Sequence, residues 1–296
     1  MRIEQLTFTR FVAALLIVIF HFGSGNPHFS NEYTQFLFKQ ANVGVSYFFM
    51  LSGFVMIIAY HKKVKVNFID YMRNRFARIY PVYLLALLLL LFLYILSKQV
   101  NYTDLILNIF MLQAWIPGKA LVFNIAAWSL SVELLFYVLF PFLYNRFYSK
   151  ISFKKLILPI VLFWIISQLV YHYFLYQTTF PNLFYDNIDI KYHPVFHLNE
   201  FLIGNLAGLY FIKKGNETKN YDSLILSLVV LLLLALKFPI GLNFHNGFLA
   251  VLFIPLIILI SLNSGFLTKL FNKKGFVFLG EISFGLYILQ FIVWQY

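Results

Sequence analysis

Apolar residues run continuously along most of this chain instead of alternating with polar ones. Long apolar runs lie at about 7–23, 44–60, 80–97, 128–145, 152–171, 195–212, 221–238, 246–262 and 276–296. A helix needs about 20 such residues to cross about 30 Å of hydrocarbon. Barrel strands would alternate in outward and inward polarity, so the runs predict helices. A tenth segment at about 104–116 differs from the rest. It carries Asp104, Asn108 and Gln113 and stops at Pro117-Gly118. It is too short and too polar for a span, which predicts a re-entrant or interfacial piece. The expected fold is all-α: a polytopic transmembrane bundle of about nine spans plus that short segment. Residues 1–296 are expected to form a single domain, since there is no internal repeat and no stretch of soluble composition.

Composition agrees with this pattern. The chain is 61% hydrophobic and 11% charged, with a mean hydropathy of +0.79. A soluble domain carries roughly 25% charged residues. The net charge of +12 would suggest nucleic acid in a soluble protein, but basic cytoplasmic loops account for it here, and no nucleic-acid partner is predicted. There is no cysteine, which excludes disulfides, a thiolate nucleophile and thiolate metal ligation; no metal site is predicted. The first apolar run lacks a small-residue cleavage site, so it reads as a retained helix.

The basic residues orient the chain. With a cytoplasmic N-terminus and a non-crossing 104–116 segment, Lys62, Lys63, Lys65, Arg73, Arg75 and Arg78 share one inside loop. Arg146, Lys150, Lys154 and Lys155 share a second. Lys213, Lys214 and Lys219, then Lys269, Lys273 and Lys274, fill two more, and Arg2 is also inside. Only Lys39, Lys98, Lys119, Lys191 and Lys237 fall outside. A full crossing at 104–116 would erase this bias, so the positive-inside rule favours nine spans in a bacterial inner membrane. The longest outside loop, about 172–194, is either a cover over a site or a solvated loop.

Two ionisable residues stand inside the first run. Arg10 and His21 are eleven residues apart. On a helix that places them about 20° apart around the axis and about 16 Å apart along it. Ionisable groups at membrane depth are costly and usually functional. Arg75 and Arg78 are expected in the basic loop ahead of Pro81. Glu133, Glu200 and Gln290 are expected toward the outer ends of their spans. Arginine forks suit phosphates. A histidine near carboxylates suits proton abstraction near neutral pH. Each group also has a structural use: headgroup contact for the arginines, a carbonyl partner for His21, helix N–H groups for the glutamates. Gly44, Gly53 and Gly204 are expected to be helix-packing residues.

Five stretches in order resemble the acyltransferase-3 family of bacterial membrane acyltransferases. They are the Arg10/His21 pair, Gly44-Val-Ser-Tyr-Phe-Phe-Met-Leu-Ser-Gly-Phe54, Arg75-Phe-Ala-Arg-Ile-Tyr-Pro81, Trp128-Ser-Leu-Ser-Val-Glu133 and Glu200-Phe-Leu-Ile-Gly204. Ser46 stands where the family often has an acidic residue, and His197 where an arginine often precedes the last stretch. Gln290 replaces a histidine in Ser283-Phe-Gly-Leu-Tyr-Ile-Leu-Gln290. By this resemblance the family's final helix is absent, so the domain is expected to be short at its C-terminus.

The resemblance implies O-acylation of an extracytoplasmic hydroxyl, on a carbohydrate or lipid-linked acceptor, from cytoplasmic acyl-coenzyme A, often acetyl-coenzyme A. No permanently bound cofactor is implied. His21 would be the general base, supported by Glu133. Arg10, Arg75 and Arg78 would hold the donor. Glu200, Ser129 and Asn124 would lie on the acceptor side. The alternatives are a solute transporter or exporter, or a degenerate member of the family that acts as a partner protein. No inverted repeat or pair of broken helices favours transport.

Overall fold

The computed structural model describes every residue except 1, 2, 24, 177–186, 216, 240 and 296. Arg2 and much of the 172–194 loop therefore lie outside the described residues. The main helices are α1 (Gln5–Phe22), α2 (Val43–Tyr60), α3 (Phe68–Leu96), α4 (Tyr102–Ile109) and α5 (Trp128–Leu143). They continue with α6 (Phe153–Leu175), α7 (Leu198–Lys214), α8 (Asp222–Lys237), α9 (Ala250–Leu262) and α10 (Lys274–Gln295). Among the described residues, 7 helices are long and apolar enough to cross a membrane. The predicted spans at 221–238 and 246–262 are present as the shorter helices α8 and α9.

The boundaries depart from expectation in two places. Arg75 and Arg78 were expected in a loop ahead of a span starting near residue 80. Instead α3 begins at Phe68 and carries both. Asn67 caps it by accepting the Asp70 N–H at 3.1 Å, and Asp70 adds a negative charge to the first turn. Pro81 forfeits one helical hydrogen bond without ending the helix. The other departure is at residue 246, where a span was expected to begin. Gly247 has φ +82°, a left-handed turn, and α9 starts only at Ala250.

The chain divides into two compact units. The first comprises Met1–His61, Ile157–Trp164 and Asn199–Tyr287. Helix α2 is its most buried element. Small residues let neighbouring backbones approach α2 closely: Gly44 meets Ile17 and the Ala13 carbonyl of α1. A Cβ added at Gly204 would strike the Met50 carbonyl, and one at Gly208 would meet Phe54 and Ile57. Gly204 and Gly208 form a Gly-xxx-Gly pair on α7, the spacing that packs helices tightly where lipid removes the hydrophobic drive for association. Met50, Phe54, Phe253, Ile257 and Phe211 form the centre of this unit's core.

The second unit comprises Lys62–Leu156, Ile165–Leu198 and Ile288–Tyr296. Helices α3 and α5 pack through Tyr71 stacked on Phe140, with ring centroids 5.5 Å apart. The polar segment around 104–116 breaks into α4 and a short 3-10 turn, Gln113–Trp115. Its irregular backbone is stitched down, as an apolar setting requires. Tyr83 donates to the Asn108 carbonyl at 2.7 Å, Gln113 donates to the Ala127 carbonyl at 2.7 Å, and Lys119 pairs with Asp104 at 2.7 Å.

Candidate functional site

The expected site residues fall into both units. Arg10, His21 and Glu200 belong to the first. Arg75, Arg78, Glu133, Ser129 and Asn124 belong to the second.

In the first unit, α1 carries Arg10 and His21 without interruption, so the single-face relation read from their spacing holds on a real helix. Both side chains are half-buried. The His21 ring lies against Phe20 and Phe22, at 5.2 and 5.8 Å between centroids. Glu200 sits in the first turn of α7 and is fully buried. The turn 243–247 closes over it: an added Cβ at Gly247 would come 2.5 Å from Glu200 Cγ. Asn199 donates to Asn246 at 3.1 Å, Trp164 donates to the Gly247 carbonyl at 2.9 Å, and Ser46 donates to the His245 carbonyl at 2.9 Å. Ser46 thus has a reason to differ from an acidic residue, because a carboxylate facing that carbonyl could not donate. Asn199, His245, Asn246 and Gly247 were missed from the sequence. The Asn-Gly pair at 246–247 was the available signal, since such pairs mark turns and not helix starts.

In the second unit, two expected groups come together through a third. The Arg75 guanidinium lies 5.1 Å from the Tyr71 ring centroid and 5.9 Å from that of Tyr137. Tyr137 donates its hydroxyl proton to Glu133 Oε2 at 2.8 Å. Arg75, Tyr137 and Glu133 therefore form one connected group on α3 and α5, although the loop reading had set guanidinium and carboxylate at opposite faces. Arg78 is exposed.

Asn124 and Ser129 organise the start of α5. Asn124 accepts from Ala126 N at 3.1 Å and donates to the Ile288 carbonyl at 3.2 Å, and Ser129 donates to the Ala126 carbonyl at 3.0 Å. Trp128, between them, packs on Tyr192 and His197, with centroids 4.8 and 5.2 Å away. His197 is buried, and its Nε2 lies 2.8 Å from the Lys191 carbonyl. A carbonyl only accepts, so that nitrogen carries the proton. The Gly118 N–H donates to Asp189 Oδ1 at 2.6 Å, which fixes the same region. His193 lies edge-on to Trp115 at 5.3 Å. Burial, then the neighbouring His197, lowers the His193 pKa from its ordinary 6.5, against an opposing pull from Asp189. Burial raises that of Tyr192. Among the described residues, no three acidic or histidine side chains are grouped to hold a metal ion.

These features define a helical membrane protein with ionisable side chains built into its apolar helices. The acyltransferase domain family matches residues 3–296, and the chain belongs to that family. It is 31% identical over 166 residues to acyltransferase MdmB of Streptomyces mycarofaciens, a match that covers 52% of this chain and 42% of that protein. It is 26% identical over 271 residues to the putative acetyltransferase ORF330 of Acidianus two-tailed virus, covering 87% of this chain and 74% of that one. The chain thus spans less than half the length of the first of these relatives. No solved structure matches it.

Proposed function

We propose that this protein is a membrane-bound O-acyltransferase. It moves an acyl group, acetyl in the first instance, from cytoplasmic acyl-coenzyme A to a hydroxyl of an extracytoplasmic carbohydrate or related surface acceptor. The observation that carries this reading is the family match along almost the whole chain, combined with Arg10 and His21 on one face of an unbroken helix. The acyltransferase and acetyltransferase names of the relatives agree with it.

In this mechanism His21 removes the acceptor's hydroxyl proton as the oxygen attacks the thioester carbonyl. The coenzyme A thiolate departs and the ester forms. Arg10, Arg75 and Arg78 bind the donor's phosphates, for which guanidinium forks are suited. Glu133, held by Tyr137, supports the base or the acceptor. Glu200, with the turn 243–247, together with Ser129 and Asn124, shapes the acceptor side. Nine spans, counting α8 and α9, with the N-terminus in the cytoplasm of a bacterial inner membrane, put the donor and acceptor on opposite sides.

Membrane vesicles test the sidedness. Labelled acetyl-coenzyme A does not cross a bilayer, so inverted vesicles holding the protein should incorporate label and sealed right-side-out vesicles should not. Label incorporated equally in both, or in neither, contradicts the reading.

A further inference from the structure

A cleft of about 430 Å³ lies within the second unit, between the strap 62–67 that leads into α3 and the end of α5. That volume falls in the range of small-molecule sites, about 300–1,000 Å³. None of the residues proposed for donor, acceptor or base lines it. Its lining includes Lys65, Phe68, Val138, Pro141, Phe142 and Asn145. The backbone is irregular here. Pro141 has no N–H to donate within α5, and the helix then widens into a π-turn, Tyr144–Tyr148, where the Ser149 N–H reaches back to the Tyr144 carbonyl at 3.0 Å. Asn145 grips the strap with both amide atoms: Oδ1 accepts from the Val66 N–H at 2.8 Å, and Nδ2 donates to the Val66 carbonyl at 2.9 Å. Tyr144 donates to the Lys63 carbonyl at 2.8 Å. These bonds fix the backbone that carries Lys65 at the cleft.

Two chemistries meet at this cleft. Phe68, Val138 and Phe142 are exposed, and the last two stand four apart on one face of a helix apolar enough to cross a membrane. Lys62, Lys63 and Lys65 are exposed on the strap, and among the described residues no carboxylate pairs with them. Asp70, the nearest acid in sequence, is taken by Arg73 at 3.3 Å. A ligand that suits both parts is anionic at one end and apolar along the other. Inorganic phosphate lacks the apolar part, and the acetyl group of a donor is too small to cover two exposed side chains. We propose that the cleft binds one anionic phospholipid: its phosphate pairs with Lys65, Lys62 and Lys63 add to the attraction, and its acyl chains lie along Val138 and Phe142.

The chain has no cysteine, so Phe142→Cys takes a single fluorophore at the cleft. Full-length protein labelled there is placed in phosphatidylcholine nanodiscs with a rising fraction of brominated phosphatidylglycerol or, in parallel, brominated phosphatidylcholine. Bromine quenches only at close range, so the site should show as a saturable excess of quenching by phosphatidylglycerol. Lys65→Gln should raise the half-saturating fraction about fivefold, and glutamine at all three lysines should remove the excess. Equal quenching by the two lipids, or an excess indifferent to the lysines, would overturn the proposal. Reversal of the quenching by acetyl-coenzyme A at constant ionic strength would assign the cleft to the donor and overturn it as well. Native mass spectrometry of unlabelled protein, with thermal unfolding as the folding control, gives a second reading. Wild type should retain phosphatidylglycerol in preference to phosphatidylcholine. Val138→Phe, which fills the cleft and keeps every charge, should lose that preference. Retention by Val138→Phe as strong as by wild type would mean diffuse surface charge and reject the site.

Discussion

Tyr137 donates its hydroxyl proton to Glu133 while its ring faces the Arg75 guanidinium. Arg75 and Glu133 were legible in the sequence because each sits in a short polar stretch within apolar surroundings. Tyr137 was not, because it is one aromatic among 20 tyrosines and 37 phenylalanines. The relation that exposes it is the spacing of four from Glu133, which puts the two on one helix face. Removing only the hydroxyl should show its weight. Tyr137→Phe is expected to lower stability by about 1–2 kcal/mol, since a hydrogen bond to a half-buried carboxylate is lost. It should also cut acetyl transfer roughly tenfold by freeing Glu133 to turn, a loss of about 1.4 kcal/mol in the barrier. Unfolding curves and initial rates in nanodiscs read the two effects; wild-type values in both would refute the coupling. Asn124 is a second case. The family resemblance put it on the acceptor side, and the fold adds what the sequence did not show, that both ends of its amide engage backbone.

Helices were legible as elements because apolar runs of that length have few other folds open to them in lipid. Their ends were less so, since caps and turns rest on one or two residues. Asn67 moved the start of α3 back by three turns, and Gly247 moved the start of α9 forward by one. The glycine reading held: Gly204 abuts the Met50 carbonyl, an atom that cannot yield as a side chain can. Gly204→Ala should therefore cost about 1–3 kcal/mol, the penalty of overpacking. Gly275→Ala, where an added Cβ meets nothing, should gain up to about 1 kcal/mol from helix propensity. Equal melting temperatures for the two variants would contradict the close approach of Gly204 to Met50. The turn before α7 carries a pH dependence. The His193 pKa is lower in the fold than its ordinary 6.5, so the stability it leaves intact is present above about 6.5 and is lost as pH falls through the lower folded value. His193→Gln should flatten that acid limb of the melting-temperature profile. An unchanged acid limb would mean that another group dominates.

For the whole molecule, the class was readable because composition, run length and loop charge each constrain the same quantity, the path of the backbone through a bilayer. The ordered motifs then pointed to a family that matches residues 3–296. What the sequence did not convey is the tertiary wiring: the turn 243–247 over Glu200, and the phenol Tyr137 beside Arg75. Those relations join residues distant in the chain, and no local pattern encodes them. The central claim is narrower than the fold and rests on His21 as the base. Its most direct test is transfer of labelled acetyl groups from acetyl-coenzyme A in membranes holding equal amounts of wild-type protein and His21→Ala. A positioned general base contributes about 10²–10⁴-fold. The variant is therefore predicted to insert normally and bind donor with near wild-type affinity, yet transfer label at least about a hundredfold more slowly. Transfer by His21→Ala at the wild-type rate would contradict the account.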